Sequence, residues 1–495
     1  MAGLICIILL GLVLRLVNLT LLPVFADEAI YVRWSQIMAN EATLRFLPLS
    51  DGKQPLFMWV LMFLIRNFSD PLYIGRLVSV VAGVGTMLGI FALSYVLFKN
   101  KSVSLVASFL YALSPFSVFF DRMALVDSTL AMFGVWFLLF GVLTVKTKRL
   151  DMAMITGFFL GFAHLTKSPA IFFAILLPVT WIFTKEKTKL VPLYFVTLVI
   201  AFGMYNILRL GPNFHLIAMR NQDYVYPYSH ILTDPLNPFK GHMGGIISYF
   251  ISLGPLSIVP LITLGIFANF KKSFASFLPI LAFAFIPIFI IAEYSKVVTA
   301  RYILFTIPFF VVLAASAFIS KIKWVKYASI FFLTLFIIQG VLFDYKLLTK
   351  VEAAPLPYGD RSGYLEEWTA GQGIREIADY IKDQKSKTKD KKFVIGTEGY
   401  FGTLPDGLQM YLNDAPEVIV IGIGVNITEL PESLLASRKA GNKTYLVINK
   451  SRLRADPEKL GLKLIAQYPK ALRRIGSGEY ASYGPQEILY FFELP

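Results

Sequence analysis

The chain has 495 residues, 56% of them hydrophobic and only 16% charged, which leaves too little polar surface to cover a soluble globule of that length. Its formal net charge of +15 does not point to nucleic acid, because Lys and Arg fall in short clusters between apolar runs rather than along one face. The single cysteine, Cys6, lies in the first apolar run, which excludes an internal disulfide framework and a cysteine metal cluster.

Apolar runs long enough to cross a bilayer predict about eleven helices. They fall near 3–22, 71–98, 103–120, 125–145, 152–166, 169–184, 190–210, 246–268, 274–292, 301–320 and 327–345. The first run lacks the basic leader and small-residue cleavage site of a signal peptide, so it reads as a retained span. Lys167, Ser168 and Pro169 interrupt the stretch 152–184, and two helices are favoured over one because Pro169 suits a first helical turn. Alternate connections are very short and basic: Lys99 and Lys101; Lys146, Lys148 and Arg149; Lys185, Lys187 and Lys189; Lys271 and Lys272; Lys321, Lys323 and Lys326. By the positive-inside rule these face the cytoplasm, and the longer connections 23–70 and 211–245 face outward. An odd number of spans puts the N-terminus inside and the C-terminal tail outside, as expected of a multi-pass protein of the cell membrane.

In the first outer connection, "FADEAIYVRWSQIMAN" spaces Ile30, Trp34, Ile37 and Met38 as an amphipathic helix lying on the membrane surface. Asp27 and Glu28 open it. They read either as an N-cap and a first-turn acid, or as paired carboxylates placed to meet a substrate held by a lipid tail. The connection ends in "DGKQPLFMWVLMFLI", where Lys53 precedes a Pro55-initiated apolar stretch too short to span comfortably, a second interfacial helix. Arg122 and Asp127 stand five residues apart around the start of the fourth span, either as an ion pair closing a tight loop or with Asp127 as a further acid. His230 lies in "YVYPYSHILTDPLNPF", whose aromatics suit either a sugar ring or the membrane interface. Lys167 and Arg301 each interrupt or open an apolar run, where a charge is expensive. From about Lys346 the composition becomes that of a soluble α/β domain. A helix is expected over 372–383 and strands over 392–397, 417–424, 444–449 and 487–494. The chain thus reads as an α-helical polytopic membrane domain, 1–345, with interfacial helices in 23–70, followed by an extracytoplasmic α/β domain, 346–495.

An apolar span, an Asp-Glu pair opening a surface helix, Lys53-Gln54-Pro55-Leu56 with Trp59, and then "DRMALVDSTLAMF" follow one another in an order that resembles the GT-C membrane glycosyltransferases. The likeness is to their protein O-mannosyltransferase and aminoarabinose-transferase group, and covers roughly residues 1–345. "LTKSPA" around Lys167 and "ARYILFTIP" around Arg301 and Tyr302 also look like that group, whereas the usual Lys-Pro-Pro-Leu here has Gln54. The resemblance implies transfer of a sugar from a polyprenyl-phosphate donor to a hydroxyl of a lipid, glycan or protein on the outer face. The leaving phosphate needs cations, for which Lys53, Arg122, Lys167, Lys296 and Arg301 are candidates, each with ordinary membrane anchoring as the alternative. By resemblance Asp27 is the general base of a single, inverting displacement, with Glu28 orienting the acceptor; a retaining route would need two carboxylates, one as nucleophile. No cofactor is required; a divalent cation such as Mg or Mn on Asp27, Glu28 and Asp127 is an option, and four scattered histidines show no ligand spacing. The rival class is a transporter or lipid flippase, against which stand the absence of an inverted repeat, carboxylates crowded in one loop and a large external domain.

Overall fold

The computed structural model describes residues 2–270, 273–388 and 391–495; Lys271 and Lys272 of the basic clusters lie outside the described residues. The helices before the soluble tail are α1 (Ala2–Leu16), α2 (Ala26–Asn40), α3 (Leu56–Leu64), α4 (Pro71–Phe98), α5 (Lys101–Leu113), α6 (Pro115–Phe120), α7 (Asp127–Thr147), α8 (Leu150–Thr166) and α9 (Ile171–Leu176). They continue as α10 (Leu190–Asn206), α11 (Leu216–Tyr224), α12 (His230–Thr233), α13 (Phe239–Leu253), α14 (Ile258–Asn269), α15 (Phe274–Tyr294), α16 (Ile307–Ala315) and α17 (Lys323–Thr349). The chain divides into two compact units: Met1–Leu19, Glu41–Val60 and Arg76–Pro357 form one, and Thr20–Asn40, Leu61–Gly75 and Tyr358–Pro495 the other.

The first unit is a multi-pass membrane bundle. Among the described residues, six helical stretches are long and apolar enough to cross a bilayer: Pro71–Phe98, Asp127–Thr147, Lys187–Leu210, Phe274–Tyr294, Ala300–Ile319 and Lys323–Thr349. Shorter apolar helices stand at the other predicted runs, and α8 does end where Lys167 interrupts the pattern. Lys167 is the C-cap in extended conformation, and Pro169 sits in the first turn of the helical stretch that follows.

One predicted span is not straight. The run 246–268 falls on α13 and α14, which meet at 105°. Gly254 closes α13 by donating to Phe250 O at 3.1 Å, and Pro255 has no N–H with which to continue the ladder. A bilayer tolerates broken backbone only where protein or a cavity serves its polar groups. Here Ser257 Oγ donates to Gln339 Oε1 on α17 at 3.0 Å, and a cavity of about 280 Å³ opens beside Gly254, Pro255 and Gln339.

Buried charge fastens α1 to the bundle. Arg15 Nε meets Asp121 Oδ2 at 3.0 Å with both side chains fully buried, and its other nitrogens donate to Gly11 O, Ala112 O and Ser117 Oγ at 3.1–3.2 Å. Gly83 of α4 permits this, since a Cβ there would stand 2.4 Å from Asp121 Oδ2.

The second unit is built on a five-stranded sheet of β1 (Phe393–Glu398), β2 (Val418–Gly424), β3 (Lys443–Asn449), β4 (Lys463–Leu472) and β5 (Gln486–Leu494), in the order β2-β1-β3-β5-β4. β1 runs parallel to both β2 and β3, while β5 runs antiparallel to β3 and β4. The four expected strands are all present, and β4 is an addition. It is an edge strand with two register shifts, one after Leu464 and one after Pro469; a bulged edge carries Pro and Lys at positions where a central strand would show alternating apolar residues.

Helix α2 forms where expected, but it is not an amphipathic surface helix. Ile30, Val32, Trp34 and Met38 are all buried, because the tail of the same unit covers them. Gln36 Nε2 donates to Met410 O at 2.9 Å and Arg33 Nη1 to Asn413 Oδ1 at 2.8 Å. At its start, Ala26 N donates to Thr369 O at 3.1 Å and Gly371 N to Val24 O at 2.8 Å.

Candidate active site

In the membrane unit, helix ends assemble four of the motifs. α7 begins at Asp127, where a carboxylate answers the partial positive charge of a helix N-terminus, and α8 delivers Lys167 as its C-cap. Lys167 Nζ lies 2.6 Å from Asp127 Oδ1, with the lysine side chain 22% exposed and the aspartate 6%. The Arg122–Asp127 pair does not form. Arg122 turns instead to the end of α1, donating to the carbonyls of Leu14 and Arg15, among the unpaired acceptors a helix C-terminus leaves, and of Val17 and Asn18 just beyond it, at 2.7–3.1 Å.

Lys167 Nζ also stands 4.5 Å from the centre of the Tyr302 ring, and the Arg301 guanidinium 5.6 Å from the same ring, so two cations attend one phenol. Gln54 Nε2 donates to Ser168 Oγ at 2.8 Å, which joins the Lys53-Gln54-Pro55-Leu56 segment to the residue following Lys167. Lys53 Nζ is 3.3 Å from Asp51 Oδ2, and Arg220 Nη1 is 3.6 Å from Asp51 Oδ1. Lys53 and Lys167 are therefore carried on segments joined by a hydrogen bond, with the Tyr302 ring beside Lys167, and each ammonium has three donors to share between a carboxylate and an incoming anion.

Lys296 and His230 belong to a second group, around Tyr226. Tyr226 N donates to Tyr294 O at 2.7 Å and Lys296 N to Tyr224 O at 2.8 Å, which lays the connection before α13 along the end of α15. Lys296 Nζ donates to Gln222 O at 2.7 Å and lies 5.8 Å from the Tyr226 ring centre. The His230 ring stacks on Tyr226 at 4.2 Å and hydrogen-bonds the Asn237 carbonyl.

In the second unit, the two acids of α2 differ. Glu28 is fully buried and its Oε2 accepts the N–H of Phe25 at 3.0 Å, closing the helix start as a capping carboxylate does. Asp27 is only half-buried and stands one residue beyond the Ala26–Thr369 hydrogen bond. The same unit holds a charge network that motif reading missed. Arg473 bonds both oxygens of Glu367 at 2.6 and 2.9 Å and Glu487 Oε2 at 2.8 Å, and Lys470 Nζ donates to Glu367 O and Ala370 O at 3.0 and 2.7 Å. Burial pulls the Lys470 ammonium down to about 8 and raises Glu398, the last residue of β1, above the usual carboxylate range. Among the described residues, no group of three or more His, Cys, Asp or Glu side chains is arranged to hold a metal ion.

Residues 52–207, which carry Lys53, Arg122, Asp127 and Lys167, match the family described as dolichyl-phosphate-mannose-protein mannosyltransferase. The fold is similar to that of ArnT from Cupriavidus metallidurans, solved in the apo state and bound to undecaprenyl phosphate. For each the TM-score is 0.58 at 15% identity, covering 98% of this chain and 97% of that one. It is also similar to the Archaeoglobus fulgidus oligosaccharyltransferase, with a TM-score of 0.52 at 12% identity over 90% of this chain and 69% of that one. Among curated protein sequences nothing matches. The chain thus shares its fold with ArnT and with the archaeal oligosaccharyltransferase.

Proposed function

We propose that this protein transfers a sugar from a polyprenyl-phosphate carrier to a hydroxyl acceptor on the outer face of the cell membrane, with inversion at the anomeric carbon. The observation that carries this reading is the Lys167–Asp127 pair beside Tyr302 and Arg301, joined through Gln54 to Lys53. As the bond from the anomeric carbon to the phosphate oxygen breaks, the departing group gains charge, and preset cations stabilise it without having to reorganise. Lys167, Arg301 and Lys53 take that part; Arg122 supports it by holding α1. The acceptor oxygen attacks from the opposite side of the ring, and its proton passes to Asp27, the half-buried acid of α2. Glu28 fixes the backbone that presents Asp27. Lys296, Tyr226 and His230 are assigned to the sugar or its phosphate on the outer connection. The undecaprenyl phosphate bound by the structurally similar ArnT supports a lipid-phosphate donor here.

The test is transfer by the purified protein from synthetic polyprenyl-phosphate sugars. Arg301→Ala should raise the donor KM with little change in folding; an unaltered donor KM would remove Arg301 from the phosphate site. Reporter fusions at Lys187 and at Gly441 should report opposite sides of the membrane, and the same side would overturn the proposed orientation.

A further inference from the structure

Part of the second unit is unused by this chemistry. β1 and β3 are parallel neighbours whose onward connections leave in opposite directions, β1 to β2 on one side and β3 to β4 and β5 on the other. Ligand crevices form outside the carboxyl ends of such a strand pair. The last residues of the two strands are Glu398 and Asn449, and Glu398 accepts from Asn449 N at 2.5 Å and from Asn449 Nδ2 at 2.8 Å. Asn449 Oδ1 has no hydrogen-bond partner although the residue is 1% exposed. Three residues on, the Arg452 guanidinium lies over the Trp368 ring at 4.7 Å.

Thr369, next to Trp368, accepts both from Thr403 Oγ1 at 3.0 Å and from Ala26 N at 3.1 Å. The loop after β1, the Trp368 segment and the start of α2 with Asp27 therefore form one hydrogen-bonded junction. The loop turns through Gly399 (φ +73°) and Gly402 (φ +120°), a backbone that side chains other than glycine's resist, and it lifts Tyr400 and Phe401 outward. Tyr400 is 71%, Phe401 55% and Trp368 38% exposed, whereas Phe393, Tyr445, Phe491 and Phe492 of the same unit are buried.

We infer that Trp368, Tyr400 and Phe401 form a stacking platform for the acceptor, with Arg452 and Asn449 Oδ1 as its hydrogen-bonding edge, and that the acceptor is a saccharide or carries one. Aromatic faces offer apolar area to sugar rings at low entropic cost, and hydroxyls supply the donors that an unpaired amide oxygen lacks. A lipid acyl chain would cover the rings as well but would leave the Arg452 guanidinium unserved, at a desolvation cost. The inference rests on the reading of Asp27 as the base, beside which the platform lies.

The full-length protein in lipid nanodiscs is titrated with defined oligosaccharides, mannotriose and N-acetylchitotriose, and binding is read by saturation-transfer NMR. Binding to the wild type, weakened roughly tenfold or more by Trp368→Ala and by Tyr400→Ala, about 1.4 kcal/mol, and restored by Trp368→Phe, is the expected result. No binding by the wild type, or binding indifferent to these exposed substitutions, overturns the platform, as does quenching of the Trp368 signal by brominated acyl chains, which would place it in the bilayer. A separate arm measures sugar transfer by Asp27→Asn: loss of transfer with intact oligosaccharide binding keeps both readings, and unchanged transfer overturns the base assignment whatever the binding shows.

Discussion

Ion pairs in the two units are built to different standards. In the tail unit, Arg473 is sealed: its side chain is 1% exposed and both its carboxylate partners are fixed. In the membrane unit, Lys167 is half-open, anchored by one carboxylate and bordered by a ring. A sealed network gives up its charges only at the cost of an uncompensated buried ion. A half-open lysine can exchange part of its pairing for a ligand's oxygens, so the first arrangement reads as structure and the second as a place where an anion comes and goes.

Substitution separates chemistry from structure most sharply at the proposed base. Asp27→Asn should lower turnover by roughly 10²–10⁴, the usual contribution of a general base, with membrane insertion and thermal stability unchanged; the check is a single-turnover assay with labelled donor. Arg473→Met should do the reverse. It leaves the buried Glu487 and the partly buried Glu367 without their cation and should cost about 3–5 kcal/mol of stability, seen as a lowered unfolding temperature of the tail unit, while any protein that folds retains its donor affinity.

The pH response sharpens the contrast further. Lys470 falls to about 8 in the fold from an ordinary value near 10.4, so between those values the unfolded chain holds more protons than the folded one. The contribution of this lysine to stability therefore grows as pH rises through that window and is lost as pH falls through 8. A thermal-shift series across it should show a slope that Lys470→Met reduces. The smallest effect is expected at Gln54→Pro, which gives the Lys-Pro-Pro-Leu of the resembling group. Losing the bond to Ser168 should cost about 0.5–1.5 kcal/mol, with a modest rise in donor KM.

Much of this contrast is legible in the sequence, but unevenly. The spans announce themselves because a bilayer demands unbroken apolar runs, and the break at Lys167-Ser168-Pro169 is visible because each residue there has a local reason to end a helix. The bend at Gly254-Pro255 carries the same kind of signal inside a shorter gap, yet a run counted only by hydropathy passes straight over it. The pairing of Asp127 with Lys167 rather than Arg122 could not be read, since proximity in sequence favours the wrong cation and the end of α1, which claims Arg122, is more than a hundred residues away. Ile30, Trp34 and Met38 have the spacing of a surface helix, and only the tail, over three hundred residues later, supplies the partner that buries them. The Glu367–Arg473–Glu487 network has no motif because its members come from a loop, the end of β4 and β5.

The account turns on a lipid-borne phosphate meeting the cations of the membrane unit, and the most direct measurement is mass analysis of lipid extracted from the purified protein. The predicted result is a polyprenyl phosphate or its glycosylated form, retained by the wild type and depleted roughly 10–100-fold in Lys167→Met, as loss of a charged hydrogen bond of about 1.5–3 kcal/mol implies. Ordinary phospholipid alone, in the same amount with and without Lys167, would contradict it.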